Sequence, residues 1–526
     1  MASSPSAGLV SLPQTVPAAL ERAARDFGEA EAVVDRSDRW TFAQLHAESL
    51  RVARALTTSG VAPGDRVALW APNSARWVAA SFGVYAAGAV LVPVNTRFKG
   101  MEAAHVLRRS GATLLLASTD AVGADLLGLL QAAGDLPGLR EAVVVEGPAR
   151  DDAVGWDEFV ARGAAADDRP LPPVGDDDLA DIIFTSGTTG APKGAMLGHG
   201  PSVRTYEAWS DAVGLRGGDR YLCVYPFFHT AGLKSAVLAC VLRGATVLPH
   251  AVFDAGVVMR RVVEESITVL PGPPTVFQSM LEHPDRAQFD LSSLRLSVTG
   301  AATVPVEVVR RMREDLHIAT VVTGYGLTET TGTVSMCHHD DPPEVVATTV
   351  GRPLPGVSVR VVDDEGSTVP PGETGEILVK GFNVMRGYFD DPEATAGAFD
   401  DEGYLRTGDI GYVGDDGNLR ITDRKKDMFI VGGFNAFPTE IEGIMLTHAG
   451  VAQVAVVGVP HDRMGEVARA YVVRRGGHAV DEGALIAWCR EHMANYKVPK
   501  EVHFVDELPL TASGKVQRFR LRQPGT

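Results

Sequence analysis

The sequence predicts an α/β chain: a large N-terminal body of stacked α/β sheets, a β-rich subdomain, and a small C-terminal α+β domain. Three observations carry this. The chain has 526 residues, too many for one core at roughly 150 residues per domain. Short Val-rich runs alternate through the first part with segments long enough for helices, as parallel sheets require. After about residue 345 the texture becomes period-two alternation broken by Asp-Glu-Gly and Asp-Asp-Gly turns, which marks antiparallel hairpins.

In order, the first strands are RVALWAP (66–72), AVLVPV (89–94) and EAVVVE (141–146). Trp77 to Val94 runs 18 residues without a charge, near the lower limit for a membrane span. Gly83, Gly88 and Pro93 interrupt it, so it reads as a core helix running into a buried strand. A Pro- and Asp-rich loop (167–178) then leads into ADIIF (180–184). Further buried strands are YLCVYPF (221–227), ATVLP (245–249), LRLSVTG (294–300) and ATVVTGYG (319–326). Hairpin strands follow at VSVRVV (357–362), GEILVKG (375–381) and GNLRITDR (417–424). The last unit holds VAQVAVVGVP, EVARAYVVRR and the helical EGALIAWCREHM. The charged run DRKKD (423–427) is the best boundary, giving units 1–424 (345–424 β-rich) and 425–526.

Aspartate and glutamate outnumber lysine and arginine by 66 to 49, a formal charge of −17. Such an excess repels nucleic acid, and an anionic ligand must be held by placed donors. Cys223, Cys240, Cys337 and Cys489 are far apart, which excludes a disulfide framework or zinc site and fits a reducing cytoplasm. The N-terminal stretch has neither the basic nor the apolar region of a secretory signal.

The strongest motif is Thr185-Ser-Gly-Thr-Thr-Gly-Ala-Pro-Lys-Gly194, directly after a buried strand. Glycines admit a ligand close to the backbone, and Ser186, Thr188, Thr189 and Lys193 add donors: a phosphate cradle. It lacks the GxxxxGK[ST] spacing, and no GxSxG, HExxH or complete GxGxxG occurs elsewhere, so hydrolase and dehydrogenase readings lose their footing. Tyr325, at a Gly-flanked turn, can cover a flat base. Thr328 can donate to a phosphate, and Glu329 is a hard oxygen ligand suited to Mg²⁺, though Thr-Glu equally suits a helix cap. Asp409 can accept from both hydroxyls of a ribose. Taken alone, Lys515 is an ordinary surface lysine and His229, in an apolar run, a satisfied core histidine.

TSGTTGAPKG, YGLTE (325–329), LRTGD (405–409), DRKKD, GGFNAFPTEIE (432–442) and LPLTASGK (508–515) together resemble the signature series of the AMP-forming acyl-CoA synthetases. That superfamily also holds peptide-synthetase adenylation domains and beetle luciferases. The resemblance implies ATP, Mg²⁺ and CoA. It places phosphates on Thr185, Ser186, Gly187, Thr188, Thr189, Gly190 and Lys193, adenine between Tyr325 and the Gly300-Ala301-Ala302 backbone, and the ion on Glu329. Asp409 and Arg424 fall to the ribose, and Lys515 bridges carboxylate and α-phosphate. Lys426 becomes the hinge of a mobile C-terminal domain, Gly432 and Gly433 flank the pantetheine tunnel, and His229 stands where acyl pocket and CoA tunnel meet.

There are two departures. Gly198 precedes His199, where the family has Ser or Thr. Lys234 puts a cation in an apolar stretch, either pointing out of the pocket or meeting a polar group on an unusual substrate. PFFHTAG and TVVTGYGLTETTGTV resemble the actinobacterial branch handling medium-chain or polycyclic acids, and Gly324 and Gly326 would leave room for a bulky group. A carrier protein as acceptor is disfavoured by the lack of a fused carrier domain. An enzyme specialised for one half-reaction and a homodimer stay open.

Overall fold

Seven strands form the first sheet, in the order Val154–Gly155, Glu141–Glu146, Leu114–Ser118, Arg66–Trp70, Val90–Pro93, Leu179–Thr185 and Lys193–Gly198. All pairings are parallel except the last, where Leu179–Thr185 folds back on Lys193–Gly198. The computed structural model describes residues 13–121, 123–131, 133–185, 192–300, 306–424, 427–431, 434–461, 464–478, 480–493, 495–511 and 515–522, with backbone alone at 423, 424, 430, 434 and 435.

A second layer joins Arg220–Cys223, Thr246–Pro249, Glu31–Asp35 and Asp38–Thr41 to Leu296–Gly300, Thr320–Tyr325, Ser335–Met336 and Arg352–Pro353. The two halves meet through parallel bridges from Val269 to Tyr221 and to Leu296. The β-rich part is an antiparallel sheet of Val357–Val362, Gly375–Gly381, Leu405–Val413 and Leu419–Arg424. The C-terminal part pairs Phe434–Ala436, Phe429–Val431, Gly465–Arg474 and Val451–His461 in that order, with Glu501–Phe504 parallel to Gly465–Arg474 and helices Pro438–Met445 and Glu482–His492 beside them.

One apolar core runs from Val16 to Leu419 between the layers, a second covers the seven-stranded sheet's other face, and a separate one spans Phe429 to Leu521. The uncharged run behaves as its interruptions predict. Ser74 caps the helix Ala75–Ala86 by accepting from Trp77 N–H at 3.2 Å, and Val90–Pro93 follows as a buried strand. No helix among the described residues is long and apolar enough to cross a membrane. One strand is shorter than its apolar run: it ends at Cys223. Pro226 lacks the N–H a ladder needs, and the chain turns so that His229 caps a new helix.

Candidate active site

The hairpin Leu179–Thr185 and Lys193–Gly198 fixes the ends of the phosphate motif, with Thr185 opposite Lys193. Ser186, Gly187, Thr188, Thr189 and Gly190 lie outside the described residues. Gly194 is dictated by packing, because a Cβ there would stand 2.6 Å from Ile182 Cγ2. Lys193 is exposed, its ammonium 5.2 Å from the centre of the Tyr388 ring, within reach of a cation–π contact. The Tyr388 hydroxyl in turn donates to Glu329 Oε1 at 3.0 Å. Burial and the Glu329 charge push that hydroxyl's pKa up, so it stays a donor. Tyr388 joins the motif lysine to the carboxylate, and it was absent from the sequence reading. Its only local signal is the Gly-Tyr pair ahead of the Asp391-capped helix Pro392–Ala398.

Glu329 is fixed at both ends, since its carbonyl accepts from Met385 N–H at 2.7 Å. Half-buried Thr328 opens the same 3₁₀ turn, Thr328–Thr330. Next to it, Gly300 and Gly324 pair across the parallel ladder, and Tyr325 ends the strand. The Tyr325 hydroxyl donates to Asp409 Oδ2 at 2.6 Å, and Asp409 is 2% exposed. Arg424 faces Asp409 in the ladder; its side chain, Ala301 and Ala302 lie outside the described residues. Aromatic ring and carboxylate are thus already brought together, as a nucleoside site requires.

The glycines of this strand need a correction. A Cβ on Gly326 would meet the Gly332 carbonyl oxygen at 2.2 Å, and one on Gly324 the Met336 sulfur at 2.6 Å. Their small size serves close packing against the next strand and turn; it does not open room for a bulky group.

His229 caps the helical segment Thr230–Gly232, its Nδ1 accepting from Ala231 N–H at 3.2 Å. That bond leaves the neutral ring's proton on Nε2, a donor. Burial, then the charge of Lys515, lowers its pKa to about 4. Lys515 comes from the C-terminal part, where Thr511 N–H donates to its carbonyl at 2.7 Å and its own N–H donates to Thr511 Oγ1 at 3.0 Å. Arg97 of the N-terminal body donates to the Thr511 carbonyl at 3.3 Å, a bond between the two parts. Lys426, Gly432 and Gly433 lie outside the described residues. Lys234 neither reaches water nor waits for a ligand: it is 1% exposed and paired with Asp181. The sequence reading passed over Asp181, inside the strand that leads into the phosphate motif.

Over 515 residues the chain is 48% identical to 3-[(3aS,4S,7aS)-7a-methyl-1,5-dioxo-octahydro-1H-inden-4-yl]propanoyl:CoA ligase of Mycobacterium tuberculosis, covering 97% of this chain and 99% of the relative. It is 39% identical to a feruloyl-CoA synthase of an Amycolatopsis species, covering 95% and 97%. In three dimensions it resembles the anthranilate CoA ligase AuaEII in complex with anthranoyl-AMP, with a TM-score of 0.88, 28% identity and 97% of each chain covered. Residues 20–389 match the AMP-binding enzyme family and residues 440–515 the C-terminal domain of AMP-binding enzymes. By these matches and by the site's own geometry, the chain belongs to the AMP-binding enzyme family.

Proposed function

We propose that the protein is an AMP-forming acyl-CoA ligase for a bulky bicyclic or polycyclic acid, working in the cytoplasm. The observation that supports the reaction is the bond from Arg97 of the large body to the Thr511 carbonyl, since Thr511 is in turn hydrogen-bonded to Lys515. The relatives' substrates support the acid class, and four free, buried cysteines suit a reducing compartment.

In the first half-reaction the carboxylate attacks the α-phosphorus of ATP in line, forming the acyl-adenylate and releasing pyrophosphate. Lys515 lies between the two anions that must meet, and Lys193 faces the leaving group. Tyr325 covers the adenine and Asp409 accepts from the ribose, with Arg424 beside it. Glu329, oriented by Tyr388, and Thr328 fit a hard divalent ion, and Mg²⁺ held there would draw charge from the phosphates. In the second half-reaction the C-terminal part turns about Lys426, carrying Lys515 out and the face of Gly432 and Gly433 in. The CoA thiol gives its proton to solvent, its sulfur attacks the acyl carbonyl, and the C–O bond to AMP breaks, AMP leaving with the bridging oxygen on its phosphate. His229, a neutral donor, stands at the junction of acid and thiol.

The test is a thioester screen by mass spectrometry across bicyclic, steroid-like, hydroxycinnamic, medium-chain and short acids. A strong preference for bicyclic or polycyclic acids is expected. Exclusive use of acetate or an amino acid would overturn the acid class.

A further inference from the structure

Both departures from the family pattern, His199 preceded by Gly198 and the cation Lys234, converge on one buried cluster. Lys234 sits in the wide π turn Leu233–Leu238 of the helix that His229 begins. Such turns recur at functional sites. Its ammonium lies 2.5 Å from Asp181 Oδ2 and 5.5 Å from the centre of the Tyr85 ring. The Tyr85 hydroxyl donates to the other oxygen, Asp181 Oδ1, at 2.5 Å. Both carboxylate oxygens are therefore held. His199 packs edge-on against Tyr85 at 5.5 Å, and its Nδ1 accepts from Val16 N–H at 3.4 Å.

The position of this cluster matters more than its strength. Asp181 pairs with Leu197 near the root of the hairpin that carries the phosphate motif, and His199 follows that hairpin directly. Lys234 lies five residues beyond His229. A buried ion pair adds little stability over apolar residues of the same volume, whereas it can specify one arrangement. Here that arrangement is the spacing between the phosphate hairpin and the helix of His229.

We propose that Lys234, Asp181 and Tyr85 are positioning residues, clamping the His229 helix to the root of the phosphate hairpin so that acid and ATP meet in register. This rests on the ligase reading above.

The experiment is the triple variant Tyr85→Phe, Asp181→Leu, Lys234→Met, which removes the clamp's hydroxyl, carboxylate and ammonium while nearly keeping each side chain's length and branching. Thermal unfolding and ATP–pyrophosphate exchange are followed beside wild type. The expected result is a midpoint close to wild type, kcat down by about tenfold or more, and a nearly unchanged KM for ATP, as misplacement without lost binding produces. Wild-type kcat at a preserved midpoint would overturn the clamp's role. If the triple variant does not fold, Tyr85→Phe alone decides: about threefold loss of kcat at an unchanged midpoint supports the clamp, and wild-type kcat overturns it. Absence of exchange in wild type with every acid would instead sink the ligase reading, and the clamp with it.

Discussion

Three buried histidines report on the fold through their protons. Burial is the largest cause in each case, holding His199 down to about 3 and His229 and His250 to about 4; neighbouring cations add to it, Lys234 and Arg386 at His199, Lys515 at His229 and Arg261 at His250. Their ordinary value is 6.5, so between about pH 6.5 and 4 the unfolded chain binds protons that the folded chain refuses. Stability is therefore fully present above pH 6.5 and is lost as the pH falls through that window. The expected result is a thermal midpoint that drops by several degrees between pH 7 and 5. A midpoint independent of pH over that range would contradict the burial of neutral rings. At the same scale, Lys193, Tyr325, Glu329 and Asp409 could be singled out as candidates from the sequence because each has a chemistry of its own. Tyr388 was not legible, since its value lies in Glu329, 59 positions away. Asp181 was hidden likewise, 53 positions from the lysine that makes it tolerable in a core strand.

At the level of elements, Val-rich runs between turn residues revealed most of the long buried strands, because a strand covered on both faces needs a continuous apolar run, whereas Glu31–Asp35, Leu114–Ser118, Lys193–Gly198 and the short edge strands went unread. Three of the four strands of 357–424 were equally readable from their alternation and their Gly turns, while Leu405–Val413 between them was read only as a motif. The π turn at Leu233–Leu238 was invisible, since its residues suit an ordinary α-helix as well. The glycines of the Tyr325 strand were read with the right importance and the wrong cause. Gly326→Ala drives a methyl against the Gly332 backbone, whereas Gly324→Ala meets chiefly the end of Met336, which can swing aside. Gly326→Ala should cost about 1–3 kcal/mol or more and Gly324→Ala distinctly less, measured by denaturant unfolding. Equal, negligible costs would mean that the turn is looser than its packing implies.

The molecule as a whole has a formal charge of −17 and must still bind anionic ATP and CoA. On the proposed reading it does so with few cations set in place, Lys193 on the large body and Lys515 on the C-terminal part among them. The separate core of residues 429–521 suits the proposed turning of this part as a body, and a bond from Arg97 to the Thr511 carbonyl ties it to the N-terminal body. The sequence could suggest this division of labour only through its likeness to a family, since no local pattern assigns a role to a lysine so near the C-terminal end of the sequence. The most direct measurement of the central claim is to compare both half-reactions in Lys515→Ala. Adenylate formation, followed as acid-dependent ATP–pyrophosphate exchange without CoA, should fall by about 10²–10³ or more, while thioester formation from supplied acyl-adenylate and CoA continues near the wild-type rate. An equal loss of both halves, or ADP as the nucleotide product of the wild-type protein, would contradict the account.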